Sequence, residues 1–369
     1  MKKEFLALLM IGTAMVSMAK GPEGTLQSGL QAERFDSLVD GRRTGLYTLV
    51  NSKGMEACVT NYGARLVSLM FDGKDMVQGF DNIGDYCRYR QNFGATVGRY
   101  VGRIRGPHFT LDGKEYRLQE NGRGSIAHGG TPGFAARVWD VVGHTDSTLT
   151  LQYVSPDGEN GFPGELTVRL TYRLSEGLEI DYEATTDKPT VLNLTNHSFF
   201  NISGRLEKEI VDELLYVNSE QIAAYDSEKN VNGTMIDVAG TPFDFYTEER
   251  RIGSRIDEDN EQLNVTKGYD HSFALKTAGD DTQPAARLRD LESGITMTVY
   301  TTEPAVHIYT ANGLKGNMPG KKGTIYPRRS SVCFETMHFS DSPNQPAFPS
   351  TVLRPGETFR SHTAYVFSK

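Results

Sequence analysis

Between residues 166 and 184 the chain alternates apolar and polar side chains with a period of two, a pattern that only a strand can use. Leu166, Val168, Leu170, Tyr172 and Leu174 are separated by Thr167, Arg169, Thr171 and Arg173. After the turn Ser175-Glu176-Gly177 the pattern resumes with Leu178, Ile180, Tyr182 and Ala184. Successive strand side chains point to opposite faces, so this stretch predicts two half-buried antiparallel strands. Similar runs recur at 57–62, 65–71, 149–153, 295–300 and 363–367. At 109–118, Asp112-Gly113 separates two alternating arms, a strong hairpin signal. Helical periodicity is weak, and is seen only around 205–215 and 248–256. Strands without intervening helices must pack sheet on sheet, which predicts an all-β protein, a large antiparallel β-sandwich. No linker, low-complexity tract or repeat divides 41–369, which reads as one domain, while the polar, aperiodic stretch 20–40 reads as a mobile lead-in.

The first residues are of another kind. Met1-Lys2-Lys3 precedes an apolar run at 5–16, and Ser17-Met18-Ala19 sets small residues three positions apart before Lys20. This is the pattern of a secretory signal peptide over 1–19, with Glu4 unusual beside the lysines. The run is short of the roughly 20 residues a membrane span needs, and no other candidate follows. Export to the periplasm or the medium is therefore expected. The cysteines Cys58, Cys87 and Cys333 are few and odd in number, so no structural disulfide is expected. Neither Cys-x-x-Cys nor His-Glu-x-x-His occurs, so no metal is expected. A net charge of -8 with basic residues in scattered pairs argues against nucleic acid as a partner.

Chemistry is concentrated where strand-like runs end in polar groups. Thr190-Val191-Leu192 gives way to Asn193-Leu194-Thr195-Asn196-His197, and a lone His at a strand end is either a hydrogen-bonded structural residue or a general acid-base. In Gly98-Arg99-Tyr100-Val101-Gly102-Arg103 the arginines are donors to hydroxyl or carboxylate oxygens, or members of structural ion pairs. His128 is followed by Gly129-Gly130, which leaves room for a ligand to approach the backbone. Asp270 lies between Tyr269 and His271 as a turn residue or a ligand-facing acid. Glu335, after Val332-Cys333-Phe334, sits on a part-buried strand, where desolvation raises a carboxyl toward a useful base.

Taken in order, these stretches resemble the aldose 1-epimerase (galactose mutarotase) family. The resemblance is carried by the run ending in Arg103, His128-Gly129-Gly130, the 157–164 loop Asp-Gly-Glu-Asn-Gly-Phe-Pro-Gly, Thr195-Asn196-His197, the 239–245 stretch, Gly268-Tyr269-Asp270, Phe334-Glu335-Thr336 and the 353–357 stretch. It implies a β-sandwich with an open sugar cleft and interconversion of the α and β anomers of a free aldose, without cofactor. By position it implies Glu335 as the base at the anomeric hydroxyl and His197 as the acid at the ring oxygen, the pair flanking the C1–O5 unit from opposite sides. His128, Arg103 and Asp270 would bind the sugar. The expected pH profile is a bell with its acidic limb from Glu335 and its basic limb from His197. Three positions depart from the family pattern: Gly102 where Asn is frequent, His307 where Gln is expected, and Met337 in place of Gln. His307 is thereby a candidate substrate-binding residue. Two other classes compete with this reading. One is a secreted carbohydrate-binding protein without catalysis, which would have no need of both His197 and Glu335. The other is an epimerase of phosphorylated hexoses, which would need clustered basic groups.

Overall fold

The alternating stretch at 166–184 becomes two central strands of a nine-stranded antiparallel sheet in a computed structural model that describes residues 26–122 and 124–369. Leu166–Leu174 and Gly177–Thr186 pair without interruption from Leu166 opposite Thr186 to Leu174 opposite Leu178. Their apolar side chains are buried at every second position, as the pattern requires. Strand Phe359–Ser368 adds beside Gly177–Thr186 and links it to Thr296–Thr301. A five-stranded sheet has the order Val231–Asp237, Ser219–Tyr225, Asp270–Leu275, Ala305–Tyr309, Cys333–Met337. A four-stranded sheet runs from Leu46–Val50 through Glu56–Thr60 and Arg65–Phe71 to Lys74–Asp75. One apolar core joins Leu170 and Ile180 of the large sheet with Leu66 and Leu69 of the four-stranded one, and with Val306, Ile308 and Phe334 of the five-stranded one. The architecture is a β-sandwich.

The Asp112-Gly113 turn joins His108–Leu111 to Lys114–Arg117 with φ of 51° and 76°, the two positive values a two-residue hairpin turn demands. Two short helices were not legible in the sequence. Ile83–Tyr89 is started by Asn82, whose side chain accepts from the Asp85 amide at 2.9 Å, and Glu261–Thr266 by Asn260 in the same way. The weak periodicities at 205–215 and 248–256 yield turns, the strand Leu214–Val217 and the 3-10 turn Ile252–Ser254.

The expected leader, 1–19, lies outside the described residues. From Leu26 onward, the stretch expected to be a mobile lead-in packs on the four-stranded sheet. The amides of Gln27 and Ser28 donate to the Glu56 carboxylate at 2.9 and 3.0 Å, and Phe35 is fully buried. Single anchors of this kind have no periodicity to reveal them.

Candidate active site

The site is built on one face of the five-stranded sheet. Asp270 and Ser272, two apart on one strand, share a face with His307, which lies opposite Ser272; Glu335 lies opposite His307 on the next strand. The intervening residues Phe273, Val306, Ile308 and Phe334 point the other way, into the core. Period two thus holds the acids and imidazole on one side of the sheet and anchors them from the other.

His197 arrives from a separate element. Thr195–His197 pairs with Ala95–Val97, and Asn196 fixes the strand end by donating to Gly94 O at 3.0 Å and to the Tyr172 hydroxyl at 2.9 Å. This frees His197 to face the sheet, with its ring stacked on Phe199 at 5.0 Å and 13°. Its Nε2 lies 3.4 Å from Glu335 Oε1, and the two side chains are only 7% and 4% exposed. Arg103 opens the short strand Arg103–Arg105, which pairs with Ser125–Ala127 and so brings His128 alongside. The His128 and His197 rings meet edge to face at 5.7 Å. Arg103, His128, His197, Asp270, His307 and Glu335 all line a single cleft of about 260 Å³.

The acid and base are direct neighbours in the cleft, with His197 Nε2 3.4 Å from Glu335 Oε1. Several expectations change. Gly129 serves chain packing and not ligand approach, since a Cβ there would stand 2.0 Å from Gly98 O. Arg99 is a scaffold residue: it donates to the Pro163 and Gly164 carbonyls, at 2.8 Å each. The 157–164 loop likewise braces the His128 turn, with Asn160 donating to Gly129 O at 2.7 Å. Gly102 and Met337 form one locus. A Cβ on Gly102, whose φ is 80°, would meet Ser340 Oγ at 2.2 Å and Met337 Cε at 3.3 Å, so the side chain frequent in the family has no room here.

The cleft also contains residues not anticipated from the sequence: Phe199, Tyr225, Lys229, Tyr309 and Ser340 among them. Phe199 and Tyr309 had a signal: Tyr309 lies two residues after His307 on the same face of its strand, and Phe199 two residues after His197, just past the end of Thr195–His197. Lys229 had none, because a turn places it.

Burial sets the protonation of the site. It pushes Glu335 up to about 7, opposed by the His307 charge and reinforced by Asp270. Burial, together with the charges of His128 and His307, drives His197 well below the usual imidazole range. His128 falls to about 4 through burial and the nearby Arg103. His307 moves the other way. Burial disfavours its charge, but its hydrogen bond to Asp270 and the charges of Glu335 and Asp270 outweigh this. His307 Nε2 donates to Asp270 Oδ1 at 2.9 Å, and Nδ1 meets Ser272 Oγ at 2.9 Å, so both ring nitrogens are engaged. Asp270 is correspondingly held below the usual carboxylate range, burial being outweighed by the same imidazole.

His197, Cys333 and Glu335 place ligating atoms within 4.8 Å of one another. The resting charges oppose a cation there. Burial holds the Cys333 thiol protonated and pushes the Glu335 carboxyl up to about 7, and the His307 imidazole opposite Glu335 is raised by its hydrogen bond to Asp270 and by the charges of Glu335 and Asp270.

The sequence profile described as Aldose 1-epimerase matches residues 45–366. Galactose mutarotase of Sus scrofa is 34% identical over 361 residues, spanning 96% of this chain and 99% of that protein. Aldose 1-epimerase of Escherichia coli K12 is 34% identical over 337 residues, spanning 89% of this chain and 96% of that protein. Among solved structures, an aldose epimerase homologue from C. elegans matches with a TM-score of 0.81 and 28% identity over 88% of this chain and 99% of its own. Galactose 1-epimerase from Lactobacillus acidophilus matches with a TM-score of 0.79 and 28% identity over 90% of this chain and 96% of its own.

Proposed function

Because this chain belongs to the aldose 1-epimerase family, we infer that its cleft interconverts the α and β anomers of free aldoses such as glucose and galactose, with Glu335 and His197 as the proton-transfer pair. One observation carries the pair: a carboxylate oxygen and an imidazole nitrogen, both nearly buried, stand 3.4 Å apart in the cleft wall. Opening a hemiacetal removes a proton from O1 and delivers one to O5. Both oxygens are bonded to C1, so neighbouring groups reach both. Glu335 accepts the O1 proton and His197 Nε2 delivers one to O5; the aldehyde turns about C1–C2, and the same groups act in reverse to close the ring. The proton count balances over the cycle, and each group contributes ~10²–10⁴ in rate.

The remaining residues hold the sugar. Arg103 donates to hydroxyls and Asp270 accepts from them, with the Asp270 carboxylate oriented by His307. His128, kept neutral by burial, offers a hydrogen bond at the ring oxygen or a neighbouring hydroxyl. Polarimetry of freshly dissolved α-D-glucose and α-D-galactose tests the reading. Protein should speed the decay of optical rotation; a decay equal to that in buffer would overturn it and favour a purely sugar-binding protein.

His307→Gln removes an imidazole that lies opposite Glu335 and whose protonated form is favoured by Asp270 and Glu335. Both groups then lose a charge that disfavours protonation, so both limbs of the pH–rate profile should move to higher pH. The ratio of galactose to glucose turnover should change too, while the better sugar stays within roughly tenfold of wild type. An unmoved profile would mean that His307 does not act on the pair.

Export is part of the same proposal, supported by the charge, apolar run and small-residue spacing of 1–19. Among the described residues no helix is long and apolar enough to cross a membrane. N-terminal sequencing of protein from its native cells should find a start near Lys20, and an intact Met1 would count against export.

A further inference from the structure

We propose that the aldose this cleft favours carries a carboxylate, a hexuronic acid in place of a neutral hexose, and that Lys229 recognises it. This rests on the anomer-exchange reading of the same site and names its substrate class.

Two cations in the cleft lack a partner. Lys229 and Arg103 both line it, and among the described residues neither has a carboxylate oxygen within 4.0 Å. Among the described residues, the Arg103 side chain makes only a long hydrogen bond to Ser125 Oγ, at 3.4 Å. The acids of the cleft do not answer these charges. Asp270 is matched by His307 at 2.9 Å, and Glu335, which burial pushes up to about 7, faces His197 at 3.4 Å. The cleft therefore holds uncompensated positive charge in a chain whose net charge is -8. A neutral hexose supplies hydroxyls, which satisfy hydrogen bonds but leave that charge unmatched. A carboxylate matches it with charge-assisted hydrogen bonds.

Lys229 is held where it stands. It lies in the turn between Ser219–Tyr225 and Val231–Asp237, in the left-handed region with φ of 64°. Its amide donates to Asp226 O at 3.0 Å, while Asp226 Oδ1 accepts from the Glu228 and Asn230 amides at 2.9 Å each. The other carboxylate oxygen of Asp226 faces Arg105 at 3.5 Å, so the one acid in this turn's first position is engaged elsewhere. Lys229 lines the same cleft as Asp270, His307 and Glu335. The C6 carboxylate of a hexuronate takes no part in ring opening, so a cation of the cleft lining can hold it without changing the reaction at C1 and O5. A phosphate would meet the same charges, but Lys229 and Arg103 reach the cleft from separate elements without the clustered donors that a dianion with three terminal oxygens calls for.

NMR exchange rates between anomers test this with D-galacturonate, D-glucuronate, D-galactose, D-glucose and D-galactose 6-phosphate. For at least one hexuronate, kcat/KM should exceed that of the matching neutral hexose by about tenfold or more at low salt, and Lys229→Gln should reduce that ratio by about tenfold. The ratio within one variant corrects for any loss of folded protein. A neutral hexose preferred by wild type, a ratio unmoved by Lys229→Gln, or a hexose phosphate exchanged faster than the hexuronates would each overturn the proposal. Exchange of hexoses but not hexuronates would sink this inference alone; exchange of no aldose would sink the anomer-exchange reading with it.

Discussion

Glu335→Gln is expected to slow anomer exchange by at least ~10²-fold with sugar binding retained. The amide keeps the shape and the hydrogen-bonding reach of the side chain but cannot accept the O1 proton. Its neighbours give reason to expect little structural loss. Among the described residues, the Glu335 side chain makes only the 3.4 Å approach to His197, and the strand that carries it is anchored by Phe334 on the core face. The change should thus appear in kcat with KM little altered, the signature of an interaction made in the transition state. Stopped-flow polarimetry on folded variant protein measures both. A variant with unaltered kcat would remove Glu335 from the mechanism.

His197→Asn should produce a loss of similar size, because ring opening would then expel an unprotonated alkoxide at O5. The electrostatics of the pair change what its pH dependence should look like. Exchange requires one proton on the pair, with Glu335 ionised and His197 charged. Burial raises Glu335 to about 7 and drives His197 well below its usual range, so the favoured one-proton form has the proton on Glu335, and the reactive form is its minor tautomer. The basic limb, near 7, then belongs chiefly to loss of the proton from Glu335, and the acidic limb to protonation of His197. This reverses the assignment expected from the sequence, where unperturbed values put the carboxyl below the imidazole. Initial rates across pH should give a bell whose basic limb disappears or moves in Glu335→Gln; a basic limb unchanged in that variant would assign it elsewhere.

What the sequence could reveal follows from how local each feature is. The strand pair at 166–184 and the Asp112-Gly113 hairpin were legible because period-two burial and positive φ are set by residues close in the chain. The packing of 26–44 was not, since Phe35 is an isolated apolar residue whose burial depends on a distant sheet. The two helices begin at Asn82 and Asn260, residues as much at home in turns as at helix caps. In the cleft, the rise of Glu335 could be expected from the apolar residues before it. The fall of His197 could not, because it comes from depth of burial and from His128 and His307, which reach it only in the folded chain. The register that sets His307 opposite Glu335 is equally a property of the sheet, as is the turn that delivers Lys229.

The account depends on Glu335 and His197 acting as one unit, and NMR magnetisation transfer between the anomeric protons of D-galactose or D-glucose tests this most directly. Exchange should be measured for wild type, Glu335→Gln, His197→Asn and the double variant, each shown to be folded and to bind sugar. The predicted result is a fall of at least ~10² in each single variant and scarcely more in the double, because losing either partner disables the shared step. Near wild-type exchange in Glu335→Gln, or single losses that simply multiply in the double variant, would contradict it.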